Sequence, residues 1–252
     1  MWLGLAIGNS RVRWGLFSGE ALRASHCSGH FNAPITDHDS LAACLPAAWC
    51  EHLPAQPPLY VASVVAHQAP YWQAYPHARA IALAQVPLRG TYPQLGLDRA
   101  LSLWGAGEVW GWPTLVVDAG TALALTAADG HCRLIGGAVL PGLRAQQRAL
   151  AQQTDALPET SRLQDLPPRW ARDTETAIAS GILHTVSAGL QSYLADWWQQ
   201  SPGATALLTG GDAALLYGAL QAQAPTLAER LRCDPHLIFW GMRSVRAHQP
   251  GG

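Results

Sequence analysis

Two aspartates stand where a carboxylate could serve phosphate chemistry. Asp118 closes the apolar run Leu115-Val116-Val117 and is followed by Ala119-Gly120-Thr121. A carboxylate there can meet a cation, and the backbone N–H groups of the Gly-Thr turn can meet phosphate. Asp98 lies in "TYPQLGLDRALSLWGA", beside Arg99, where a helical pattern begins. An Asp at that point can cap the helix. Next to a fixed arginine it can also take the proton of an alcohol, given phosphoryl transfer elsewhere in the chain. Two further glycine turns follow apolar runs: Gly8-Asn9-Ser10 in "LGLAIGNSRVRWGLF" and Gly210-Gly211-Asp212 in "ALLTGGDAALLYGAL". One such turn is a plain strand connection; three of them point toward nucleotide binding.

Composition narrows the chemistry. All 16 basic residues among the 252 are arginine, which excludes a Walker A loop and Schiff-base catalysis, both of which need lysine. Phosphate must be held by backbone N–H groups, arginine or a metal. A formal charge of −1 with no basic block gives no footprint for nucleic acid. Five scattered cysteines without a CxxC pair favour neither a disulfide framework nor a zinc site, and the ten histidines form no HExxH. No run approaches the roughly 18 apolar residues of a membrane span, so a cytoplasmic protein without membrane partners is expected.

The elements that must carry these residues follow from periodicity. Leu3, Leu5 and Ile7, then Val12, Trp14 and Leu16, alternate as two strands around a tight turn. The same pattern recurs in "LVVDAGTALALTAADG", 112 residues on, where Ala6, Gly8 and Asn9 fall on Asp118, Gly120 and Thr121. A single long offset predicts two related halves, 1–113 and 114–252, divided at "GWPT". Residues 18 to 56 read as irregular and "LYVASVVA" as a buried strand. Leu97 to Trp110 reads as a helix with Asp98 at its N-cap, and Asp212 is expected to cap another. Ile178, Ile182, Val186, Leu190, Leu194 and Trp198 make the core face of a helix from Thr174 to Trp198. The eleven tryptophans are assigned to core and interface filling. Strands alternating with helices imply an α/β protein.

Taken in order, the motifs resemble those of the type III pantothenate kinases, within the acetate and sugar kinase, Hsp70 and actin superfamily. "IGNSRVRWGLF" is similar to the family's first phosphate motif, "LGLDRALSLWGA" to its substrate and base motif, and "VVDAGTALAL" to its second phosphate motif. "LIGGAVLPGLRAQQRAL" with "TDALP", "DTETAIASGI" and "LTGGDAALL" resemble the later segments. The resemblance implies duplicated ribonuclease-H-like (actin-like ATPase) α/β domains with a nucleotide cleft between them, a homodimer, and transfer of the ATP γ-phosphate to pantothenate. It implies Asp98 as general base, with Tyr92, Gly96, Leu97, Arg99 and Thr174 contacting pantothenate. Gly8, Asn9, Ser10, Arg11, Thr121, Gly210 and Gly211 would contact ATP, and Asp118 would hold a monovalent cation, potassium or ammonium. Two positions depart from the family pattern: Ala6 replaces an aspartate that helps position Mg²⁺, and Thr126 stands where a second acid is expected. An accessory or regulatory protein that has lost magnesium positioning is the competing expectation.

Overall fold

The computed structural model describes residues 1–248 except 156, 159 and 162; the "TDALP" motif therefore lies partly outside the described residues. The chain forms two compact units, Met1–Val109 with the C-terminal helix, and Trp110–His236.

In the first unit, β1 (Trp2–Ile7) is buried along its whole length, as befits a strand flanked on both sides. It pairs antiparallel with β2 (Val12–Ser18) and parallel with β4 (Leu59–Ser63). With β3 (Ala21–Ser28) and β5 (Ala78–Ala80) the sheet runs β3-β2-β1-β4-β5. The strand β3 falls in the stretch read from sequence as irregular. Its residues alternate only between exposed and half-buried, so no apolar run announces it.

Leu3, Leu5, Ile7, Val12 and Trp14 cover one face of the sheet together with Leu41, Trp49 and Trp72, carried by α1 (His38–Ala42), α2 (Ala47–Cys50) and α3 (Ala69–Gln73). On the other face Gly4 lies opposite Gly15, and the missing side chains make room for Phe239.

The helix α4 (Leu97–Trp110) takes the range expected from sequence. It crosses the C-terminal helix, α9 (Leu237–Ala247), at glycines: a Cβ on Gly105 would come within 2.1 Å of the Leu237 carbonyl oxygen, and one on Gly241 equally close to that of Leu101. Backbones meet this closely only where no side chain intervenes. Trp104 Nε1–H donates to Ser244 Oγ (2.9 Å) across the same contact. Thus α9 belongs to the first unit, and the sequence-based half 114–252 departs from this division.

The second unit has β6 (Thr114–Ala119), β7 (Ala122–Ala128), β8 (Leu134–Pro141), β9 (Thr205–Thr209) and β10 (Arg232–Cys233), ordered β10-β9-β6-β7-β8. Counted by appearance, both sheets have the order 3-2-1-4-5, with the first pairings antiparallel and the last two parallel. The internal similarity is therefore a duplicated fold. Helices α5 (Leu143–Gln153), α6 (Thr174–Gln200), α7 (Ala213–Gln223) and α8 (Pro225–Ala228) complete the unit. The stripe Ile178, Ile182, Val186, Leu190, Leu194 and Trp198 is buried on α6. Removing a fully buried member such as Leu194 costs about 2–5 kcal/mol. Most tryptophans are buried, while Trp170 is 86% exposed.

Candidate functional site

The β1–β2 turn leaves Gly8 to Arg11 between the paired residues Ile7 and Val12. Gly8 N–H donates to Arg11 O (3.0 Å), closing the loop, and Asn9, Ser10 and Arg11 are exposed. Ala6 is 2% exposed and lies opposite Arg13. Directly opposed residues of an antiparallel pair share a face, so the position that lacks the acid has an arginine as its cross-strand partner. It offers no ligand to a divalent cation.

The corresponding β6–β7 turn is one residue shorter, with Gly120, Thr121 and Ala122 between the paired Ala119 and Leu123. Asp118 is half-buried, opposite Ala124 on one side and Thr209 on the other. Glycines build its surroundings. Gly210 has φ +96, and a Cβ there would come within 2.6 Å of Asp118 Oδ1 and 2.5 Å of the Ala119 carbonyl. Gly142 N–H donates to Thr121 O (3.0 Å), and a Cβ on Gly142 would lie 2.2 Å from Gly120 O. This pins the N-terminus of α5 to the turn. Gly142 was not among the site residues expected from sequence; it stands in the quoted "LPGLRAQQ" segment, and only the packing reveals why it is glycine. The Thr209 hydroxyl, Asp118's neighbour in register, is buried without a hydrogen-bond partner. A carboxylate and a hydroxyl on register partners are oxygen groups of the kind that hard cations take as ligands. Asp212 N–H donates to Ala119 O (3.0 Å), tying the Gly210-Gly211 turn to the same strand end. Asp212 occupies the N-cap of α7, but its side chain makes no cap bond. Thr126 is 2% exposed within β7.

The substrate motif assembles within the first unit. Asp98 is not the N-cap expected from sequence but the second residue of α4, because Gly96 O already accepts the first helical bond, from Ala100 N–H (3.0 Å). Its Oδ1 accepts from Arg99 N–H (2.8 Å), and Arg99 Nη1 donates to Tyr92 Oη (3.3 Å). Tyr92 is 42% exposed, while Asp98, Arg99, Gly96 and Leu97 are half-buried. A Cβ on Gly96 would fall 2.6 Å from Asp98 Oδ1, so glycine there leaves the carboxylate uncrowded. The structure thus brings Tyr92, Gly96, Leu97, Asp98 and Arg99 together.

In the second unit Thr174 is the first residue of α6 and lines a 690 Å³ cavity with Gln146, Arg172, Asp173, Ile178 and Ile182. The N-cap Asp173 accepts from Thr176 N–H (2.8 Å). That bond, followed by one from the Thr176 hydroxyl, holds its carboxyl below the ordinary value of 3.8.

Two repeated sheets of this order, each with a glycine hairpin after its first strand, are the fold shared by actin-like ATPases and sugar kinases. Among solved structures, a conserved Campylobacter jejuni protein described as a Baf family transcriptional activator aligns over 97% of both chains at 17% identity with a TM-score of 0.64. The activator of the 2-hydroxyisocaproyl-CoA dehydratase from Clostridium difficile, solved with bound ADPNP, aligns over 98% of this chain and 93% of its own at 13% identity with a TM-score of 0.54. These likenesses show the fold. The sequence relationship is closer: the family model described as type III pantothenate kinase matches residues 2–196. A Nostoc protein named type III pantothenate kinase is 44% identical over 98% of this chain and 94% of its own. The chain belongs to the type III pantothenate kinase family.

Proposed function

We infer that the protein is an enzyme that transfers the γ-phosphate of ATP to the hydroxyl of pantothenate, giving 4'-phosphopantothenate in the first step of coenzyme A biosynthesis. The single observation that carries the assignment to this chain's own residues is the assembled motif Tyr92–Gly96–Asp98–Arg99, in a chain that aligns over 94% of a relative named for this activity. In the proposed chemistry the pantothenate hydroxyl oxygen attacks the γ-phosphorus, ADP leaves, and the Asp98 carboxylate takes the hydroxyl proton. Arg99, held by the Tyr92 hydroxyl, is suited to the pantothenate carboxylate, with Gly96, Leu97 and Thr174 as further contacts.

The phosphates are assigned to the N–H groups and Arg11 of the first hairpin and to Thr121 of the second, with Gly210 and Gly211 on the nucleotide side. Without lysine, backbone donors are the natural grip. Asp118 and Thr209 fit potassium or ammonium, which would supply positive charge beside the transferring phosphate. At position 6 nothing fits Mg²⁺, so magnesium is assigned to ATP oxygens and water, with Asp118 as the acid nearest in kind. Loss of that one acid does not favour an accessory role, because the base motif is whole. No helix among the described residues is long and apolar enough to cross a membrane. We place the enzyme in the cytoplasm as a homodimer, to be tested by sedimentation equilibrium.

The deciding experiment is ATP-dependent phosphorylation of pantothenate, with potassium and with sodium. Turnover is expected in potassium and a far lower rate in sodium. Asp98→Asn should cut kcat by about 10²–10⁴ while nucleotide affinity and melting temperature stay near parental. Near-parental turnover of that variant would return Asp98 to a purely structural role.

A further inference from the structure

We propose that His30 is a positioning residue of the first phosphate hairpin, holding the Gly8–Asn9 peptide so that the Asn9 N–H faces the nucleotide. The proposal rests on the reading of that hairpin as a phosphate grip. Its ground is the hydrogen bond between His30 Nε2 and Gly8 O (2.8 Å). A carbonyl can only accept, so Nε2 carries the proton. In a planar trans peptide the carbonyl of one residue and the N–H of the next point in opposite directions. Fixing Gly8 O toward His30 therefore turns the Asn9 N–H away from it, on a loop residue that is itself exposed. The other end of the same residue is fixed too, by Gly8 N–H to Arg11 O. The two peptide planes that flank Gly8 are thus each held by one hydrogen bond, and a donor needs no reorganisation when phosphate arrives.

The histidine is itself held. Its neighbour Phe31 is bracketed by the side-chain amide of Gln68, which is 3% exposed: Phe31 N–H donates to Gln68 Oε1 (2.8 Å), and Gln68 Nε2 donates to Phe31 O (3.3 Å). The Phe31 ring meets Trp14 edge-on at 5.8 Å, and Trp14 Nε1–H donates to Ser28 Oγ (3.2 Å). His67 meets the His30 ring edge-on at 5.9 Å. A buried glutamine that satisfies both backbone groups of Phe31 fixes the segment next to His30. Here it delivers one ring nitrogen to one carbonyl of the hairpin.

The test is a titration of the ¹⁵N-labelled full chain with the non-hydrolysable analogue β,γ-imido-ATP, following the Asn9 amide, together with steady-state kinetics. In the parental protein the Asn9 resonance should move on saturation. His30→Ala should weaken analogue affinity about five- to tenfold, the scale of one hydrogen bond, and shrink that movement. ATP KM should rise in step, with pantothenate KM and melting temperature near parental. His30→Gln, whose Nε2 can reach the same carbonyl, should restore affinity. Parental binding by His30→Ala, or a His30→Gln protein that behaves like the alanine variant, overturns the role of His30 while leaving the hairpin assignment in place. An Asn9 amide that ignores nucleotide in the parental protein overturns the hairpin assignment, and the proposal with it.

Discussion

The hairpins β1–β2 and β6–β7 hold the same place in sheets of the same strand order, yet their charges are opposite. Where the second has Asp118 opposite Ala124, the first has Ala6 opposite Arg13. The cause is partly a single extra residue: the first loop is four residues long and the second three, and a one-residue slip moves a strand's side chains to the other face. At a constant offset, Ala6 would meet Val12; the longer loop puts Arg13 there instead. The surroundings diverge likewise. The first turn is open, with a Cβ on Gly8 meeting nothing nearer than Arg11 O at 3.6 Å, whereas the second is closed in by Gly142 and Gly210. On the proposed assignments, a duplicated frame has kept its backbone and divided its labour, with a cationic rim for phosphate in one copy and an acidic seat for a cation in the other.

The sharpest way to break this contrast is with a methyl group. Gly142→Ala, whose φ of −64 any residue accepts, should cost about 3 kcal/mol through the clash with Gly120 O and abolish turnover. Gly8→Ala should stay within about 0.5 kcal/mol of parental. Equal losses in thermal or urea unfolding would show that the two turns are packed alike.

Next in size is the acid itself. Asp118→Asn should lower kcat about 10²-fold and remove the advantage of potassium over sodium, read in parallel assays. A variant that keeps the potassium response takes the cation away from this hairpin.

Converting the first hairpin toward the second gives a smaller effect. Ala6→Asp should lower the Mg²⁺ needed for half-maximal rate about two- to fivefold, the scale of one water-mediated bond. Arg13 opposite offsets the burial of the new charge, so the melting temperature should fall little. An unchanged magnesium titration in a stable variant would mean that position 6 is remote from the metal side of the triphosphate.

The smallest concerns the helix starts that carry the proposed substrate contacts. Asp173 caps α6 and its carboxyl is depressed, chiefly by the Thr176 N–H, while Asp98 on α4 bonds only the adjacent Arg99 N–H among the contacts described. A depressed carboxyl contributes stability that is complete above its unfolded value, about pH 4, and is lost as pH falls through the lower folded value. Asp173→Asn keeps an oxygen for the cap and should flatten the melting-temperature profile below about pH 4, changing little at neutral pH. An unaltered acid profile would place that sensitivity elsewhere.

Much of this molecule was legible in the order of its residues. The alternating runs around Gly8 and Gly120 mark strands because period-two burial is a local property, and the stripe on α6 marks a helix for the same reason. The repeat linking Ala6 to Asp118 announced the duplication, and Asp98 beside Arg99 stood out as a candidate base next to a fixed arginine. Other features were decided only by packing. The edge strand β3 carries no apolar signal because it is half-buried, and α9 leaves the half it follows because Gly105 and Gly241 let its backbone meet α4. Asp98 sits inside α4 because Gly96 takes the capping role. His30 stands 22 residues from the carbonyl it holds, one of ten histidines with no local mark. Sequence fixes what each residue can do within one turn or one strand. Which distant backbone it meets depends on loop lengths and on where side chains are absent, and those are resolved only when the sheets are assembled.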